Sequence, residues 1–143
     1  MPQPTSVSDV QIGEMLPCIT FPPVNRTMLA LFAGASGDHN PVHMDIDFAR
    51  KSGMPDVFAH GMLGMAWLGR LMTNWTPQTQ LRRFDVRFQG IMHLGNIITC
   101  SGKVVGKIEE NGETLLRVEV RAINQFNVDK IWGEALVALD KQI

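Results

Sequence analysis

The sequence predicts an α+β domain in which one long helix lies on a curved antiparallel sheet. Three observations carry this expectation. Apolar residues in the first half recur at helical spacing between clusters of helix breakers. Residues 62–75 are apolar nearly all round, as a helix buried on most sides would be. The second half alternates apolar and polar residues with a period of two. Helices followed by a run of strands is an α+β plan. At 143 residues the chain has room for a single domain, 1–143.

The elements follow in order. Residues 1–10 read as a loose lead-in. Residues 15–24 hold three prolines among apolar residues, which predicts an extended segment at a sheet edge. Met28, Leu29, Leu31, Phe32 and Ala35 then predict a helix, capped by Asn25 or Thr27 and ending near Ser36-Gly37. Residues 37–41 are a breaker cluster and hence a loop. A short helix is expected over about 45–52, closed by Gly53 and Pro55. A brief extended piece over 57–59 leads to His60-Gly61, which opens the long helix. Gly64 and Gly69 each cost that helix about 1 kcal/mol, so close approach by other backbone is expected there.

In the second half Phe84, Val86 and Phe88 share one face, against Arg83, Asp85 and Arg87. Ile98, Cys100, Val104 and Ile108 are expected on one face of the next strand. Leu116, Val118, Val120 and Ala122 oppose Arg117, Glu119 and Arg121 in the one after. Residues 131–139 read as a more fully buried strand. Asn111-Gly112 is a strong hairpin turn signal, and 127–130 a weaker one.

The formal net charge is −1, so nothing in the balance points to nucleic acid or an anionic membrane surface. The two cysteines, Cys18 and Cys100, lack metal-ligand spacing and are expected to be reduced and buried. The N-terminus has no basic start or apolar core of a signal peptide. The most apolar stretch, 61–72, contains Arg70 and is too short to span a bilayer. A cytoplasmic location is expected.

Chemistry concentrates in Ser36-Gly37-Asp38-His39-Asn40-Pro41-Val42-His43. Asp38 and His43 flank a turn in which Pro41 keeps Asn40 out of helical geometry, so both side chains can be aimed at one point. A carboxylate with an imidazole suits an acid–base step at neutral pH. On the residues alone, Asp38 reads equally as a turn former or cap, and His43 as a hydrogen-bonded core histidine. His39 and His43 have the spacing of two zinc ligands on a helix, but the intervening proline breaks that helix and no third ligand is evident, so no metal is expected. Gly61, at the start of the long helix, would present a bare N–H at the positive helix end, or else merely allow tight packing.

Phe32, Ser36-Gly37-Asp38, Asn40-Pro41-Val42-His43, Phe48-Ala49 and His60-Gly61-Met62, taken together at these spacings, resemble the MaoC-like family of R-specific enoyl-CoA hydratases and 3-hydroxyacyl-thioester dehydratases. The resemblance covers roughly residues 31–68. Two positions depart from it: Phe32 stands where many members have tyrosine, and Ala35 where a larger aliphatic residue is usual.

The resemblance implies a hot-dog fold and reversible addition of water to a trans-2-enoyl thioester. Asp38 and His43 would be the acid–base pair, and the Gly61 N–H the oxyanion donor. Asn40, His60, Met62 and Met65 would be substrate-binding residues, with Trp67 and Leu68 further candidates for lining the acyl chain. Arg82, Arg83, Arg87 or Lys103 could meet carrier phosphates. No cofactor is implied beyond coenzyme A or acyl-carrier phosphopantetheine as part of the substrate. A homodimer or larger homo-oligomer is expected, with a heterodimer as the alternative. The rival functions are a hot-dog thioesterase and a non-catalytic acyl-binding subunit.

Overall fold

The computed structural model describes residues 9–139. Its strands are β1 (Ile19–Thr20), β2 (Leu81–Phe88), β3 (Thr99–Glu110), β4 (Glu113–Ile123) and β5 (Asp129–Ala138). Among the described residues they form one five-stranded antiparallel sheet in the order β1-β3-β4-β5-β2. The proline-rich segment supplies edge strand β1, as expected, because its prolines forgo ladder donors. Asn111 and Gly112 both have positive φ, 51° and 75°, the requirement of the two-residue turn that joins twisted strands β3 and β4.

The helices are α1 (Arg26–Ser36), α2 (Ile46–Lys51) and α3 (Gly61–Trp75). Asn25 caps α1 by accepting the Met28 N–H at 2.9 Å, and Gly37 ends it in the left-handed region with φ 74°. Helix α3 packs on β2, β3 and β4. Leu68, Leu71 and Met72 meet a core that includes Val104, Leu116, Val118 and Val120. No helix among the described residues is long and apolar enough to cross a membrane.

Several expectations need correction. Ile108 leaves the face of Ile98, Cys100 and Val104. A bulge between Val104 and Gly106 adds a residue, the alternation changes phase, and Ile108 packs with Leu115, Leu136 and Ala138 in a separate cluster. Cys100 is buried and its thiol is pushed up to about 12 by burial, but Cys18 is exposed. The close approach at Gly64 comes from the side chains of Ile131 and Met92 rather than from backbone, and a Cβ at Gly69 would meet only the Phe84 ring, at 3.6 Å. Helix α3 is not buried on most sides: Met62 and Ala66 are exposed. The lead-in over 1–8 lies outside the described residues, while Val10 is part of the core.

Candidate active site

The loop from α1 to α2 is built by its own polar side chains. Ser36 Oγ accepts the Asp38 N–H at 3.2 Å. Asp38 Oδ1 accepts the Asn40 N–H, and Asn40 Oδ1 accepts the Val42 N–H, each at 3.2 Å. Asp45 Oδ1 then caps α2 by accepting from Asp47 and Phe48. Each side chain holds a backbone donor two or three residues ahead, which is the use short polar residues find in turns. Pro41 begins a short 3-10 turn, Pro41–His43, that delivers His43 into the interior at 8% exposure.

Asp38 thus divides its carboxylate. Oδ1 holds the loop, while Oδ2 lies 4.0 Å from His43 Nε2. The other His43 nitrogen, Nδ1, is 2.7 Å from the backbone oxygen of Phe58. A carbonyl only accepts, so Nδ1 carries the proton of the neutral ring, and the Nε2 lone pair faces the carboxylate. A gap of 4.0 Å is too long for a direct hydrogen bond and suits one bridging water. Phe58 is held in turn. Arg26 pairs with Asp56 at 2.7 Å, Asp56 accepts the Val57 N–H, and Ala59 N–H donates to the Met92 carbonyl. The Arg26 guanidinium also holds the Asp56 carboxyl below its ordinary range.

His60 precedes α3 and is 1% exposed. Its Nε2 is 3.1 Å from the Asp38 backbone oxygen, and its ring stacks on His43 with centroids 3.9 Å apart. Gly61 follows as the first residue of α3, where the amide has no acceptor within the helix.

Two cavities border the site, one at Asp38 and the other at Gly61, and His43 lines neither. A groove of about 460 Å³ runs along the exposed face of α3, lined by Phe32, Asp38, Met62, Met65, Ala66 and Phe84 among others. A cavity of about 320 Å³ lies by Gly61, Phe58, Phe88 and Met92. Met62 and Met65 line the groove along α3. Trp67 and Leu68 do not: they face the core, with Trp67 stacked on Phe21 at 4.6 Å. Asn40 and His60, expected to bind substrate, line neither cavity. The Asn40 side-chain oxygen is engaged in the loop, and His60 is enclosed. Arg82 and Arg83 are engaged with Glu113 and with Asp85 and Glu134 on the sheet. Sequence reasoning missed Phe84 and the Phe58 carbonyl. The inward phase of β2 marks Phe84, but a backbone acceptor leaves no trace in residue type.

Donor atoms of Asp38, His43 and His60 lie within 4.8 Å of one another. One nitrogen of each ring is committed to a carbonyl, and the ring planes are inclined by only 27°. Lone pairs lying in stacked planes do not converge on a common tetrahedral centre, so the cluster suits a water better than a metal.

The MaoC like domain model matches residues 11–125. The chain belongs to the MaoC-like family. The fungal relative described as fatty acid synthase subunit beta, from Saccharomyces cerevisiae, is 31% identical over 107 residues, which are 73% of this chain and 5% of that protein. This MaoC-like chain thus corresponds to a small part of that relative. The (R)-specific enoyl-CoA hydratase of Rhodospirillum rubrum is 24% identical over 116 residues, covering 80% of this chain and 78% of the hydratase. Among solved structures, the R-hydratase PhaJ1 of Pseudomonas aeruginosa superposes with a TM-score of 0.79 at 27% identity, covering 95% of this chain and 86% of that one. The MaoC-like domain has the hot-dog fold, an antiparallel sheet curled round a long helix.

Proposed function

We propose that this MaoC-like domain catalyses the reversible hydration of a trans-2-enoyl thioester to the (R)-3-hydroxyacyl thioester. The observation that carries this reading is the pair of Asp38 Oδ2 and His43 Nε2, 4.0 Å apart, beside an apolar groove. A water held between them would accept direction from the carboxylate and lose a proton to the Nε2 lone pair as its oxygen attacks C3. The C2–C3 π electrons move toward C1, and the thioester oxygen gains charge. The Gly61 N–H, at the positive end of α3, would meet that oxygen. The proton held by the pair then returns to C2 on the same face. Dehydration is the reverse. Positioned acid–base help is worth about 10²–10⁴ in rate.

The acyl chain would lie in the groove along Met62, Met65 and Ala66. No metal or nucleotide cofactor enters this scheme; coenzyme A or acyl-carrier phosphopantetheine belongs to the substrate. Both cavities border β2, which stands at the end of the strand order. A second copy paired along that edge would enclose them, so a homodimer is part of the proposal.

The test is the loss of conjugated enoyl-thioester absorbance when purified protein meets crotonyl-CoA and longer trans-2-enoyl-CoAs. The expected product is the R-configured 3-hydroxyacyl-CoA, with no free thiol. Thiol release without hydration would instead assign a thioesterase. Inertness toward every enoyl-CoA and enoyl-carrier-protein thioester would contradict the proposal.

A further inference from the structure

We infer that His60 is a positioning residue for the Asp38–His43 pair, tying the Asp38 backbone through its ring N–H and supporting His43 through its ring face. The inference rests on the acid–base reading of the pair given above.

The loop around Asp38 is exposed, and the hydrogen bonds that shape it are local: Ser36, Asp38 and Asn40 side-chain oxygens each accept from the amide two residues ahead. Such bonds set a turn's shape but do not fix where it sits on the domain. The 3.1 Å contact between His60 Nε2 and the Asp38 oxygen joins this loop directly to the start of α3. Because the oxygen is a carbonyl, Nε2 must carry the hydrogen. Nδ1 is then a bare acceptor, and it is buried with no partner among the described residues. That is a costly arrangement for an imidazole, and it accompanies an N–H aimed at the residue bearing the carboxylate.

The ring faces add a smaller support. His60 lies 3.9 Å from His43, nearly parallel to it, and Phe32 closes on His60 edge-on at 4.9 Å. The Phe58 ring meets His43 edge-on at 5.1 Å. His43 is therefore held by a stacked ring, an edge contact and the bond from Nδ1–H to Phe58, leaving Nε2 aimed at Asp38. The titratable groups facing His60 are Asp38 and His43; from α1 it meets the uncharged Phe32. Burial, the largest influence, lowers the His60 pKa. A neutral His60 adds no second positive charge beside His43 when that ring takes a proton.

Two substitutions separate the functions of the ring. His60→Phe keeps a flat ring against His43 and loses the N–H. His60→Gln keeps an N–H of similar reach and loses the stack. A small displacement of a catalytic group can cost on the order of 10²-fold, so His60→Phe should lower kcat by about 10–100-fold with KM nearly unchanged. His60→Gln should recover kcat to within about fivefold of the wild type, since the tie to Asp38 is restored. An unchanged kcat in His60→Phe, or a KM that rises in proportion as for a lost substrate contact, would overturn the inference.

Imidazole ¹⁵N spectra of the wild type supply a readout independent of turnover. His60 should be the neutral Nε2–H tautomer and remain so on acidification through the ordinary histidine value of about 6.5. An Nδ1–H tautomer, or a charged His60 in that range, would overturn it. Should the wild type hydrate no enoyl thioester, the proposed function falls, while the tautomer still decides whether His60 holds Asp38.

Discussion

Between residues 99 and 138 the chain is held by antiparallel ladders and a packed apolar face, with Cys100, Val104, Leu116, Val118 and Val120 fully buried. Between residues 36 and 45 only His43 is buried, and side-chain oxygens hold the backbone amides. The sheet owes its shape to many interchangeable apolar contacts. The loop owes its shape to a few polar atoms, some of which are also the atoms proposed to do chemistry. Substitutions in the sheet should therefore cost mainly stability and spare turnover per folded molecule, whereas those in the loop and at the start of α3 should cost little stability and, where they touch the atoms of the pair or its oxyanion donor, mainly turnover.

The largest expected effect is in the sheet. Leu116→Ala removes a fully buried side chain facing α3 and should cost about 2–5 kcal/mol, read from denaturant unfolding. Its kcat, corrected for folded fraction, should stay near wild type; a lost kcat would break the division of labour.

At the start of α3 the expected loss is in rate. Gly61→Pro removes the N–H proposed to meet the thioester oxygen, and proline is tolerated at a first helical position. His60 already has φ −57° and ψ 133°, compatible with a following proline. A Cβ at Gly61 approaches the Phe88 ring to 3.1 Å, so Gly61→Ala is the control that carries this contact while keeping the N–H. Removing such a donor typically costs about 10²–10³ in kcat. Equal losses in the alanine and proline variants would trace the effect to the Phe88 contact instead.

A smaller effect is expected at Asn40. Its replacement by alanine frees the Val42 N–H and should cost about 1 kcal/mol in thermal unfolding, as lost caps do. A substantially larger cost would mean that the loop supports the domain more than its exposure suggests.

Acidification sharpens the contrast further. Burial holds the His60 pKa below its ordinary value of 6.5. As pH falls through about 6.5, the unfolded chain takes up a proton on His60 while the folded chain does not. Stability should be flat in this respect above that pH and decline below it, until the folded-state pKa is reached. His60→Phe should show a shallower decline over the same window.

Much of this division was legible in the residues. Alternation located the strands, Asn111-Gly112 the hairpin, and Asn25 and Gly37 the ends of α1. The cluster of short polar residues around Pro41 located the loop that carries Asp38 and His43. What was not legible depends on counts or contacts that residue type does not carry. The bulge after Val104 shifts Ile108 to the other face without any proline or charge to announce it. The apolar girth of α3 concealed that Trp67 and Leu68 face the core while Met62 and Ala66 line a groove. The burial of His60 and the acceptor at Phe58 arise from tertiary packing, which residue type does not carry.

The central claim is that Asp38 and His43 together activate a water, and the most direct measurement is enoyl-thioester hydration by Asp38→Asn and His43→Asn beside wild type. Asparagine at position 38 keeps an oxygen for the Asn40 N–H, and asparagine at position 43 can keep an N–H for the Phe58 carbonyl, so both variants should fold as the wild type does. Each should lose about 10²–10⁴ in kcat with an unchanged unfolding transition. Full activity in either folded variant would contradict the account.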